Sequence, residues 1–141
     1  MCFETFVDEN LFINCGGSRT IVDGNEYEDN IDAQGASYYH AYGEKWAFSS
    51  RGYFPGNEDQ SYIVKNMSPI AGASNVNPEL YTTARLSPLS LTYYGLCLQN
   101  GYYTVNLTFA EIMFTDDQTY TAVGRRFFDV SIQVMFHCIR K

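Results

Sequence analysis

Apolar and polar residues alternate in short runs along this 141-residue chain, and a period of two favours strands over helices almost throughout. Residues 11–15 read as a strand closed by Gly16-Gly17, and residues 20–22 as a short partner ended by an Asp23-Gly24-Asn25 turn. Residues 26–45 are polar, acidic and tyrosine-rich, and read as a long loop. Further strands are expected at 46–50, 62–66, 79–85 and 89–94, punctuated by Gly, Pro and Asn. After a Gln99-Asn100-Gly101 turn, Tyr103, Val105, Leu107 and Phe109 fall on one face and Thr104, Asn106 and Thr108 on the other. Phe128, Val130, Ile132 and Val134 alternate in the same way with Asp129, Ser131 and Gln133, the pattern of a sheet wetted on one side. No internal repeat and no convincing helix interrupts the series. The expected class is all-β, an antiparallel sandwich or jelly roll.

Length and charge narrow this reading. One core is what 141 residues can bury, so a single domain is expected. Nine basic against sixteen acidic residues leave a net charge of −7, so the phosphate-neutralising attraction needed for nucleic acid or anionic membranes is missing. No window reaches the length of an apolar membrane span, and residues 1–10 lack the basic and apolar regions of a signal peptide. Cys2, Cys15, Cys97 and Cys138 contain no Cys-x-x-Cys pair, which argues against a zinc ribbon or a thioredoxin-type site and leaves disulfide pairing open. Two acceptor sequons, Asn66-Met67-Ser68 and Asn106-Leu107-Thr108, become meaningful in the secretory pathway.

Catalytic constellations are hard to find. Acidic pairs at 8–9, 28–29, 58–59 and 116–117 are sequence neighbours, whose side chains point to opposite faces of a strand or solvate a turn rather than face across a cleft. His40 and His137 have no nucleophile motif around them, so packing or surface roles are expected. Asn30-x-Asp32-x-Gln34-Gly35 imitates the front of a calcium loop, but Ala41 stands where the closing acid belongs. Phosphate-cradling glycine loops are absent, and no cofactor is expected. What remains is an excess of aromatics, 12 Tyr and 10 Phe, with Tyr38, Tyr39, Tyr42, Trp46, Tyr93, Tyr94 and Phe114 assigned to loops. Tyrosine combines a flat apolar face with a polar tip, suited to sugar C–H surfaces or a peptide groove.

Several segments together resemble a known family: Leu11-Phe-Ile-Asn-Cys-Gly-Gly17, Tyr27-Glu28-Asp29, Trp46-Ala-Phe-Ser-Ser50, the block from Glu79 to Gly95, Asn106-Leu-Thr-Phe-Ala-Glu-Ile-Met-Phe114 and Gly124-Arg-Arg-Phe-Phe-Asp-Val130. In this order they are similar to the malectin domain of plant leucine-rich-repeat receptor-like serine/threonine kinases. The resemblance covers residues 11–133, leaving 1–10 poorly matched and 134–141 as a divergent tail, and it implies a malectin-type sandwich incomplete at its C-terminus. It also implies a non-catalytic extracellular module that binds carbohydrate, here as a fragment without repeats, membrane helix or kinase. The alternative is a module that contacts a peptide or co-receptor.

Animal malectin holds glucose disaccharides through loop aromatics and a late aspartate. By that resemblance Tyr42 and Phe114 are the expected carbohydrate contacts, while Met113 and Leu86 replace two other aromatics of the family's set. Asn66 and Asn106 are the expected glycan acceptors. The resemblance further implies a Cys15–Cys97 disulfide, since each lies in a family-like strand motif and Cys2 and Cys138 lie in the ends. The tail is expected to leave the strand over 127–139 with an unpaired edge and an exposed Val134-Met135-Phe136 run.

Overall fold

The computed structural model describes residues 10–32, 37–54, 62–66, 78–110, 112, 127–133 and 135–140, the last six by their backbone. Ten strands and one short 3-10 turn make up the described secondary structure, in agreement with the all-β expectation.

The centre is an antiparallel sheet in the order β4 (Tyr38–Tyr42), β5 (Trp46–Arg51), β8 (Ser90–Gly95). Its middle strand carries the core, with Trp46, Ala47 and Phe48 all fully buried. Burying each of the two large rings is worth about 2–3 kcal/mol. Cross-strand register sets Tyr42 opposite Trp46, His40 opposite Phe48, and Phe48 opposite Tyr93. One face of the sheet therefore becomes a continuous aromatic layer.

A second sheet holds β3 (Asn25–Asp29) between β1 (Ile13–Asn14) and β2 (Thr20–Val22). β2 and β3 form a hairpin turned by Asp23 and Gly24, with φ of 51° and 80°, the left-handed pair that an Asp-Gly turn supplies. β1 joins β3 in parallel, with Ile13 opposite Glu28, the one parallel pairing among the described strands. β6 (Ile63–Lys65) pairs with β7 (Thr83–Arg85), which follows the 3-10 turn Pro78–Tyr81. β9 (Phe127–Ile132) pairs with β10 (Met135–Arg140).

Four expectations need correction. Residues 26–45 are not one long loop: the Asp-Gly turn returns the chain as β3, and the alternation of Tyr38, His40 and Tyr42 builds β4. Of the aromatics assigned to loops, Tyr38, Tyr39 and Tyr42 consequently sit on β4, while Trp46, Tyr93 and Tyr94 sit on β5 and β8, in agreement with the strands read at 46–50 and 89–94. The proposed strand over 103–109 joins no ladder among the described residues, and residues 101–109 are exposed throughout, so Val105 and Leu107 are not buried. The tail is not one strand over 127–139: Gln133, at φ 54°, turns the chain so that β10 runs back along all of β9, Met135 opposite Ile132 and Arg140 opposite Phe127; in this two-stranded ladder each strand keeps one outer edge without a partner among the described strands, and the side chains of the 134–136 run lie outside the described residues. Along β9 the alternation itself holds, with Phe128, Val130 and Ile132 less exposed than Phe127, Asp129 and Ser131.

Candidate functional site

The aromatic layer becomes a site where the loop after β3 meets the end of β7. Gly16 makes the approach close: with φ of +86°, a Cβ there would stand 2.6 Å from the backbone C of Ala84 and the N of Arg85. Only glycine accepts both that dihedral and that distance. Arg85 is thereby carried into the core with 7% of its surface exposed. Its guanidinium lies 4.3 Å above the Phe48 ring. Nε donates to Asn30 Oδ1 at 2.6 Å, and Nη2 donates to the carbonyls of Asn30, at 2.7 Å, and of Asp32. A buried cation requires such acceptors. Nη1 and the Trp46 indole Nε1, also buried, have no partner among the described residues.

Asn30 distributes this network to the tyrosines. Fully buried, it accepts a second hydrogen bond from the Tyr93 hydroxyl at 3.2 Å and donates Nδ2 to the Tyr42 hydroxyl at 3.2 Å. Its backbone N–H is taken by the Gly17 carbonyl at 2.9 Å. Two residues on, Asp32 Oδ2 accepts from the Tyr38 hydroxyl at 2.7 Å and lies 3.4 Å from His40 Nδ1. The hydrogen bond to this carboxylate pushes the Tyr38 hydroxyl pKa up, because ionising the hydroxyl would remove the donated proton and then set two negative charges side by side. With Asn30 and Asp32 occupied in this way, the calcium-like pattern serves as a hydrogen-bonding hub for tyrosines.

Tyr42, the expected carbohydrate contact, stacks on Trp46 at 4.1 Å between centroids and 10° between planes, with the edge of His40 4.6 Å away. Half-buried, it combines a fixed ring with a hydroxyl that accepts from Asn30 and keeps its own proton to donate. Tyr38, His40 and Tyr42 form a half-buried ladder along β4. Phe114 and Met113 lie outside the described residues. Leu86 follows Arg85 directly and is held by its backbone N–H on the Tyr62 carbonyl at 2.8 Å. Tyr39 and Tyr94 lie on the opposite face of the sheet, 6.2 Å apart and exposed, with the Tyr94 hydroxyl 3.2 Å from Ser49 Oγ.

The expected Cys15–Cys97 disulfide is not formed: Cys15 is a free thiol, and Cys97 is bonded elsewhere. Cys15 exposes part of its surface, but the close contact at Gly16 brings its sulfur beside Tyr93 and Arg85. Burial pushes the Cys15 thiol up against the opposing pull of Tyr93 and Arg85, and burial likewise pushes the Tyr93 hydroxyl up.

The two sequons differ. Asn66 is half-buried and donates Nδ2 to the Ile112 carbonyl at 2.6 Å, whereas Asn106 is exposed. Glu28, one of the acidic neighbours, makes ion pairs with Arg19 at 3.3 Å and Lys45 at 3.4 Å. Such surface pairs are worth about 0–1 kcal/mol. Among the described residues no cluster of His, Cys, Asp and Glu could hold a metal ion, and no helix is long and apolar enough to cross a membrane.

Asn30 and Arg85 were not foreseen as partners. The available signal was a lone arginine between Ala84 and Leu86 in a strand, where a buried cation demands acceptors from elsewhere.

The model of the malectin domain matches residues 9–137. Curated relatives in Arabidopsis thaliana are probable LRR receptor-like serine/threonine-protein kinases. One is 46% identical over 132 residues, 94% of this chain and 12% of its own length. Two others are 48% identical over 123 residues and 51% identical over 128, each covering 87% of this chain and 12% and 13% of their own lengths. No solved structure matches. The chain spans about one eighth of the length of these relatives, and over the greater part of its own length it belongs to the malectin domain family.

Proposed function

We propose that this chain is the carbohydrate-recognising module of a receptor-like kinase ectodomain, acting outside the cell, without catalysis of its own, as one piece of a longer receptor. The observation that carries this reading is Tyr42: a ring fixed by Trp46, a hydroxyl oriented by Asn30, and a donor proton left for a ligand oxygen. A sugar's C–H face would lie against the Tyr38–His40–Tyr42 ladder while its hydroxyls take the polar tips. Because ring and hydroxyl are held beforehand, little ordering entropy is lost on binding.

A panel of glucose-containing and cell-wall oligosaccharides on an array, followed by calorimetry, tests this. Tyr42→Phe is expected to weaken binding about tenfold through the lost hydroxyl, and Tyr42→Ala to abolish it. Absence of binding to any oligosaccharide by the folded chain refutes the reading. The exposed Tyr39–Tyr94 pair favours a second reading, contact with a peptide or co-receptor through the other face of the sheet. Pull-down of a co-receptor ectodomain, lost in Tyr39→Ser with Tyr94→Ser, would identify that surface instead.

A further inference from the structure

The segment after β8 presents residues 101–109 to solvent without joining any ladder among the described residues. Val105, Leu107 and Phe109 are exposed at 48%, 51% and 37%, and no residue from Gln99 to Ala110 is charged. Apolar alternation, β-branched residues, unladdered backbone and absence of charge are the features that let a strand pair with another copy of itself. In the middle stands Asn106 with Thr108, both exposed. Asn66 contrasts at each point. Its Nδ2, the atom that would carry a sugar, donates at 2.6 Å to the carbonyl of Ile112, a residue only 5% exposed, and its backbone N–H is taken by the Thr82 carbonyl. A glycan there would stand in a packed contact.

We infer that Asn106 is the N-glycan attachment site of this domain and that its glycan shields the 101–109 segment from pairing with a second copy, whereas Asn66 is a structural asparagine. The inference rests on the extracellular reading above. In the transfer, Asn106 Nδ2 attacks C1 of a lipid-pyrophosphate-linked oligosaccharide. The N–C1 bond forms, the C1–O bond to pyrophosphate breaks, an Nδ2 proton passes to a base of the transferase, and the lipid pyrophosphate leaves. The product places a bulky hydrated group at the centre of the apolar alternation, where another strand would have to approach.

The test expresses the full chain behind a cleavable secretion leader in eukaryotic cells and measures intact mass in both the medium and the intracellular pool, so that a variant that is not exported is still read. One glycan is expected in wild type, kept in Asn66→Gln and lost in Asn106→Gln and Thr108→Ala. Wild type without a glycan, or with a glycan lost only in Asn66→Gln, overturns the assignment; a second glycan lost in Asn66→Gln overturns the structural role of Asn66. Sedimentation then compares glycosylated wild type with Thr108→Ala. Roughly a doubling of mean mass with concentration is expected in the variant alone, and a monomeric variant overturns the shielding role. Failure of the carbohydrate-recognition reading would show separately, as absence of oligosaccharide binding by the same secreted protein, with occupancy of Asn106 unchanged.

Discussion

Asn30→Ala is expected to destabilise the domain more than its size suggests, because the side chain serves three partners and none is readily replaced. It removes the acceptor of Arg85 Nε at 2.6 Å, a charge-assisted bond worth about 1.5–3 kcal/mol. It also strands the Tyr93 hydroxyl, at about 1–3 kcal/mol. Tyr42, only half-buried, can turn to water, so its lost donor adds little. The sum, about 3–5 kcal/mol, is a third or more of the stability of an ordinary domain. Arg85→Met should cost less, about 2–3 kcal/mol, because the charge leaves together with its need for acceptors. In that background Asn30→Ala should cost about 2 kcal/mol less than in wild type, a coupling that marks the pair as one unit. Urea denaturation followed by the emission of Trp46, the sole tryptophan and fully buried beside Tyr42, reads the network directly. A coupling under about 0.5 kcal/mol at unchanged m-values would refute the argument that Asn30 acts through the buried cation.

Gly16→Ala should cost about 3 kcal/mol or more, since it adds a backbone clash to a left-handed dihedral; Gly24→Ala, at φ +80° with open space around it, should cost about 1 kcal/mol, and equal urea midpoints would show that the approach to β7 is not tight. Alkaline pH should destabilise the fold. Cys15 and Tyr93 are raised above their ordinary values of 9.0 and 10.0, so their contribution is full below those values. It is lost as the pH rises above them, where the unfolded chain releases protons that the folded chain retains. Urea midpoints should hold from pH 7 to about 8.5 and fall above about 9, with a shallower fall in Tyr93→Phe; a midpoint that rises with pH would contradict the sign.

Strand identity was legible wherever alternation ran beside good turn chemistry. Thr20–Val22 with its Asp-Gly turn, Trp46–Arg51 and Ser90–Gly95 fall within a residue or so of expectation. It was not legible over 25–29 and 38–42, where Asn-Glu-Tyr-Glu-Asp and Tyr-Tyr-His-Ala-Tyr carry too few aliphatic residues to read as strands. Pairing with β2 and β5 makes them strands by satisfying their backbones, and no local pattern records a partner's presence. The opposite error arose over 103–109, where ideal alternation stood without a strand to pair with among the described residues.

By itself, then, the sequence determined the all-β class, the family and the aromatic character of the candidate site, because composition, turn residues and motif order are properties of the chain taken along its length. The tertiary structure decided which groups meet: Arg85 with Asn30 across 55 positions, Tyr93 with Asn30 across 63, and Cys15 with Tyr93 rather than Cys97. Those contacts follow from a buried cation drawing in acceptors and from one glycine letting two backbones approach within the reach of a side chain. Both are conditions on three-dimensional distance, which residues far apart in the chain do not encode in their spacing.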